Sequence, residues 1–149
     1  MNDSADFAIP YGALYNWHAV ANSKEICPSG FTVPNMDDWE ILFDTLENQL
    51  FLGIELNEVG NEHWASPSPN IATNSTGFTA LPGSYRNGLT GIFDENLFGF
   101  AGRYWAKLQN VLDDDPSTKT YFDFFNSTVT PKEIDQKSGL SVRCIRSVF

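Results

Sequence analysis

Cys27, Cys144, His18 and His63 are the only cysteines and histidines in the chain, so any metal–thiolate centre would need all four together. A structural zinc site usually takes four such ligands, and neither a CxxC nor an HExxH spacing occurs. No metal and no cofactor are therefore expected. A Ser–His–acid triad would need an activated serine, but the GxSxG elbow is absent. Glycosidase chemistry needs two carboxylates across a cleft, and among 19 Asp and Glu residues some pair always exists, so that signal decides nothing. Asp113, Asp114 and Asp115, followed by Pro116, could hold a hard cation weakly. Three adjacent carboxylates are read instead as a solvated turn. No catalytic residue is singled out, and the chain is read as a non-enzyme. Cys27 and Cys144 lie near opposite ends. They are either two buried thiols in a reducing compartment or a bridge closing nearly the whole domain, worth about 4–5 kcal/mol in the chain-entropy model. The bridge is the favoured reading.

Charge narrows the partners. The net charge is −10 over 149 residues, so phosphate is repelled, and nucleic acid and anionic membranes are not expected partners. No apolar run reaches the roughly 18–20 residues that span a bilayer. The amino end, Met1 to Asp6, has neither the basic patch nor the apolar segment of a secretory signal. The chain is thus expected either to stay where it is made or to be a fragment whose leader was removed. With hydrophobic residues at 42% and aromatics at 14%, disorder is not expected and one domain with a real core is. Residues 1–10 are read as a flexible segment and 11–149 as the domain.

The elements that must position any site are mostly short. Tyr11 to Ala21 reads as a strand running into a short helix, and Phe31 to Pro34 as an extended piece stopped by proline. Asn35 is an expected N-cap, with Asp37 and Asp38 in the first turn. Trp39, Leu42, Phe43, Leu46 and Leu50 then form one stripe of a helix of about four turns, with Gly53 as its stop. Asn57 to Asn74 reads as a long loop hung on Trp64. Asn87–Gly88 marks a tight turn, and Gly102 to Leu108 a strand. Thr120 to Phe125 is a strand with Phe122 and Phe124 on one face and Tyr121, Asp123 and Phe125 on the other. A short strand at Ser127 to Thr130, a charged turn at Lys132 to Lys137, and a strand at Leu140 to Arg146 complete the pattern.

Several of these groups resemble the Fibrobacter major paralogous domain family. They are Leu14-Tyr15-Asn16-Trp17, Cys27 to Pro34, Asp38-Trp39 opening a helix, His63-Trp64 with Pro67, Asn74 to Phe78, Leu81 to Arg86, Tyr104-Trp105 and Gly139 to Arg146. They occur in the family's order over about residues 11–146. The resemblance implies an α+β, C-type-lectin-like fold with a small twisted antiparallel sheet, one or two helices and long loops. It also implies pairing of a cysteine before the main helix with one on the last strand, here Cys27 with Cys144. It places the chain beside formylglycine-generating enzymes, sulfoxide synthases and the variable proteins of diversity-generating retroelements. The first use a closely spaced cysteine pair near the carboxyl end, where this chain has only Cys144. The second use a histidine-rich iron site that His18 and His63 cannot supply.

Binding is therefore expected. Tyr121, Asp123 and Phe125 would stand outside the core, and large exposed rings give contact area with few rotors to freeze. The alternative puts Tyr121 and Phe125 under a loop as satellite core. Tyr104, Ala106, Lys107 and Gln109, together with Thr128, Thr130 and Lys132, complete the candidate ligand face. The residues after Tyr104-Trp105 and those before Gly139 depart from the family's usual small and asparagine-rich ones. Intact motifs with altered residues between them are what adenine-directed mutagenesis leaves in a variable region, here about 100–149; ordinary drift on an exposed surface leaves the same trace. The resemblance implies display on a viral particle or cell surface and a protein or glycan ligand. The rival expectation is a structural or adhesion module of a bacterial envelope. Trp17, Trp39, Trp64 and Trp105 are read as scaffold. Asn74-Ser75-Thr76 and Asn126-Ser127-Thr128 fit the glycosylation sequon, a pattern too short to weigh.

Overall fold

The computed structural model describes residues 9–22, 24–47, 49–65, 71–107 and 118–147. Gln109, the Asp113–Pro116 turn and most of the 1–10 segment lie outside the described residues. Helix α1 (Trp17–Val20) is followed by β1 (Phe31–Thr32), α2 (Met36–Asp44), α3 (Gly53–Leu56) and a 3-10 turn (Glu95–Leu97). Four strands come after these: β2 (Ala101–Trp105), β3 (Thr118–Phe125), β4 (Thr128–Asp135) and β5 (Ile145–Arg146). The result is a small α+β fold with two antiparallel sheets, one ordered β2-β3-β4 and the other pairing β1 with β5.

Helix α2 starts where its sequence says. The Asn35 side chain accepts from the Asp38 backbone N–H at 2.9 Å, and the Asp38 carboxylate accepts from the Asn35 N–H at 2.8 Å. This reciprocal cap satisfies two otherwise unpaired donors. The helix ends after Asp44 rather than near Gly53, a correction to the four-turn reading. Thr45 Oγ1 donates to the Leu42 carbonyl at 2.6 Å, and Gln49 Nε2 donates to the carbonyls of Phe43 and Leu46 at 2.9 and 2.7 Å. Side chains thus take up carbonyls that a longer helix would have used. Leu46 still reaches the core, but Leu50 is 81% exposed.

Gly53 opens α3 instead of closing α2. Its N–H donates to the Ser127 carbonyl at 2.9 Å, and a Cβ there would lie 2.8 Å from the Ser127 carbonyl carbon. Only glycine lets the β3–β4 hairpin dock so closely. Asn126, with φ +50°, forms that hairpin's turn, in a left-handed conformation that asparagine tolerates.

The three-stranded sheet is covered on both sides. On one face Tyr104, Phe122 and Phe124 pack with Trp39, Leu46, Leu56 and Trp64. On the other, Trp105 and Tyr121 pack with Val20, Val33 and Leu140, and with Trp17, Ile26 and Cys27 at the margin. Bridges from Ser84 to Gly102 and from Ser141 to Tyr104 guard the outer edge of β2. Strand β4 is the open edge, and it absorbs Lys132 to Asp135, part of the segment read as a charged turn. Pro131 and Lys132 lie in its middle, side chains that discourage further strand pairing. Of the expected Leu140–Arg146 strand, only Ile145 and Arg146 pair as strand, while Leu140 and Ser141 make isolated bridges.

Cys27 and Cys144 are bridged across 117 residues, joining the segment before α2 to the segment before β5. Two outcomes follow. Reduction of the bridge is expected to cost about 4–5 kcal/mol, measured as a fall in urea midpoint in the presence of a thiol reductant. Gly53→Ala is expected to cost about 1–3 kcal/mol by overpacking against Ser127, read from the same unfolding curves.

Candidate functional site

Cross-strand register decides which of the candidate residues meet. Asp123 pairs with Arg103 on β2 and Thr130 on β4, Tyr121 pairs with Trp105 and Lys132, and Phe125 pairs with Ala101 and Thr128. Directly paired residues share a face, so Tyr121, Asp123, Phe125, Thr128, Thr130 and Lys132 occupy one side of the sheet. Their exposure differs. Phe125 is 43% exposed, and Thr128, Thr130 and Lys132 are exposed around it. Tyr121 and Asp123 are buried, as are Tyr104 and Ala106.

This corrects the expected outward row of Tyr121, Asp123 and Phe125: the first two are covered and only Phe125 is accessible. Tyr121 lies beneath the layer that contains Val20, Val33 and Leu140. Tyr104 is on the other face, where its hydroxyl donates to the Leu81 carbonyl at 3.1 Å and accepts from the Leu81 N–H at 2.9 Å. Ala106 belongs to the core on Trp39's side. Lys107 is set apart from the hairpin, bridging to Asn35 and standing 3.9 Å from Glu25.

Beneath the exposed row is a charged floor. Arg103 Nε donates to Asp123 Oδ1 at 3.1 Å, and Lys132 Nζ donates to Asp123 Oδ2. The Arg103 guanidinium stands 4.1 Å from the Tyr85 ring centroid and 5.5 Å from that of Tyr121, an arrangement the ring quadrupoles favour. Burial pushes the Tyr121 hydroxyl up to about 12; Arg103 opposes that rise, while Asp123 and Tyr85 add to it. Burial works against the charge on Arg103, but the neighbouring Tyr121 and Asp123 outweigh it and hold its pKa above the ordinary value. Both oxygens of Asp123 are thus engaged by cations. The group is arranged for rigidity, since one carboxylate is held from both neighbouring strands. Arg103 and Tyr85 were missed by sequence reasoning. The alternation Arg103–Trp105 against Tyr121–Asp123 carries the signal once β2 and β3 are aligned.

A metal–thiolate centre would draw on both cysteines as free thiolates. The cysteines are bridged to each other. His63 Nδ1 instead lies 2.7 Å from Glu58 Oε1, and Glu58, Glu62 and His63 each bring one potential ligand atom within 4.8 Å of the others. The spacing Glu58, Glu62, His63 around Trp64 could have indicated that cluster. The indoles of Trp64 and Trp105 donate to the carbonyls of Ala80 and Tyr15 at 2.9 and 2.6 Å, consistent with a scaffold role.

The family model described as the Fibrobacter succinogenes major domain matches residues 2–146. The chain belongs to that family. No curated protein and no solved structure matches it significantly. In this Fibrobacter major domain the Tyr104-Trp105 and Gly139 to Cys144 segments are bound to each other: Trp105 N–H donates to the Ser141 carbonyl at 3.1 Å.

Two measurements check the floor. Asp123→Ala leaves Arg103 buried without its partner and is expected to cost about 3–5 kcal/mol, whereas Lys132→Ala, which removes the half-exposed cation, costs under about 1 kcal/mol. Unfolding curves for both variants test the contrast. The Tyr121 hydroxyl, ordinarily near 10 and raised to about 12 here, keeps its proton longer when folded. Its contribution to stability is full below pH 10 and is lost as pH rises through 12. Tyr121→Phe should therefore flatten the loss of stability over that interval.

Proposed function

We propose that this domain is a non-enzymatic binding module with a C-type-lectin-like fold, and that the β3–β4 hairpin end carries its contact surface. The observation that supports this most is the exposed row of Phe125, Thr128, Thr130 and Lys132, with Phe125 43% exposed above the buried Asp123. A large ring at the end of β3, next to a two-residue turn and on the same face as a carboxylate held by two cations, gives contact area with little freedom left to lose. The ligand is a protein or glycan. In the sharper form, the chain is a variable protein of a diversity-generating retroelement, displayed on a viral particle or cell surface, with diversification falling within about residues 100–149.

The second reading is a structural or adhesion module of a bacterial envelope. The burial of Tyr104, Ala106, Tyr121 and Asp123 favours it, because it leaves fewer side chains free to vary than a diversified face needs.

Aligning the coding region for residues 100–149 with a template repeat tests the sharper form. Differences confined to template adenines are expected, and mismatches spread over all bases would end it. The binding reading itself is tested by the triple variant Phe125→Ala, Thr128→Ala and Thr130→Ala against arrays of glycans and of purified surface proteins. Stability should change by about 1 kcal/mol or less, while ligands held by the parent chain are lost. Retention of every such ligand would move the contact surface elsewhere.

A further inference from the structure

Away from the hairpin, the loop that follows α3 brings metal-binding side chains together. Glu58, Glu62 and His63 each place one potential ligand atom within 4.8 Å of the other two, and among the described residues no other His, Cys, Asp and Glu side chains gather in this way. None of the three belongs to the exposed row of the hairpin. His63 Nδ1 lies 2.7 and 2.9 Å from the two carboxylate oxygens of Glu58. The side chains of His63 and Glu58 are 21% and 16% exposed, and Glu62 is exposed. The group is covered enough to be held in place and open enough for an ion to enter.

The loop is tied at both ends. The Glu58 N–H and the Trp64 indole N–H both donate to the Ala80 carbonyl, at 3.2 and 2.9 Å, and the Ala65 N–H donates to the Gly99 carbonyl at 2.7 Å. Between these ties Gly60 takes φ +85°, a left-handed conformation that glycine adopts without strain. The Tyr11 and His63 rings meet edge to face with centroids 5.4 Å apart. The donors thus come on a fixed loop, and little ordering is left for an ion to impose.

The donor set decides the ion. One imidazole nitrogen and two carboxylates suit a first-row transition ion, whereas Ca2+ and Mg2+ take oxygen ligands. Both cysteines are in the disulfide, so no thiolate competes for such an ion. A divalent cation would also neutralise two carboxylates that stand close together in a chain of net charge −10. The distances fit as well. Two donors in a tetrahedral Zn2+ site, each about 2.0–2.1 Å from the ion, sit about 3.3 Å apart. The His63 Nδ1–Glu58 Oε1 pair would open by about 0.6 Å, and Glu62 would close by no more than about 1.5 Å. An exposed glutamate makes the second movement by changing rotamer.

We propose that Glu58, Glu62 and His63 bind a divalent transition ion, with Zn2+ the ion their donors suit, through one oxygen of each carboxylate and His63 Nδ1, and with water in the fourth position. The ion takes the place of the proton between His63 Nδ1 and Glu58, which passes to solvent. This donor set uses neither a thiolate nor an HExxH spacing, so it lies outside the patterns on which no metal was expected.

The test titrates ZnCl2 into the metal-stripped full chain, with its disulfide intact, in a large excess of Mg2+ that occupies loosely attracting acidic positions. Nuclear magnetic resonance follows the imidazole of His63 and that of His18, the other histidine of the chain, which is exposed. One equivalent of Zn2+ should saturate the His63 shifts and leave His18 in place. His63→Ala should weaken binding at least about 100-fold and Glu62→Gln at least about tenfold. Because Glu62 is exposed, Glu62→Gln keeps the test decisive if His63→Ala does not fold. Four results would overturn the proposal: no binding, Zn2+ that Mg2+ displaces, shifts of His18 equal to those of His63, or less than about a tenfold loss of affinity in either folded variant. The second and third would mean diffuse association with an acidic surface only.

Discussion

Aromatic packing on one side of β3 and a compensated carboxylate on the other leave its Tyr121 to Phe124 stretch without a solvent face, and most of the molecule's organisation follows from that constraint. Phe122 and Phe124 need a layer above them, which α2 and α3 provide through Trp39 and Leu56, with Leu46 from the segment between the two helices. Tyr121 needs a layer below, which α1 and the Leu140 segment provide. Asp123 falls between these demands. It is 2% exposed and must have cations, and Arg103 and Lys132 supply them from the neighbouring strands. The disulfide acts on the lower layer, fastening the chain before α2 to the segment before β5. A two-stranded hairpin is marginal alone; here β3 and β4 are joined by β2, and the three strands are held as the middle of a sandwich.

That arrangement determines where variation or recognition can be accommodated. Substitution at Tyr121 or Asp123 disturbs packing or leaves a buried charge, so neither is free to serve as a contact. Beyond them the hairpin emerges from the layers, and at Phe125, Thr128 and Thr130 the side chains answer only to their strand neighbours. The position of this end is fixed from below, since Gly53 docks against Ser127 and Asn57 donates to the Asn126 carbonyl. A rigidly placed tip with permissive side chains is what a binding surface requires.

The sequence made some of this legible and concealed the rest for identifiable reasons. Asn35 and Asp38 marked the start of α2 because capping is local chemistry. Its end was hidden because Thr45 and Gln49 close it through side chains, while the apolar spacing runs on to Leu50. The alternation in Tyr121 to Phe125 correctly separated two faces, but alternation says nothing about how many layers cover them. The near-continuous aromatic character of that run, broken only by Asp123, was the available warning, since strands buried on both sides lose most of the polar half of the pattern. Lys132 to Asp135 looked like a turn because its charges suit solvent, and an open edge strand offers solvent as readily.

The layered account is tested most directly by amide hydrogen exchange resolved along β3 and β4. It predicts that the amides of Tyr121 to Phe124 exchange only through global unfolding, while those of Phe125 to Thr128 exchange faster through local opening of the hairpin tip. Exchange of Tyr121 and Asp123 at the rate of the tip would mean that one side of the strand is not covered, and would contradict the account.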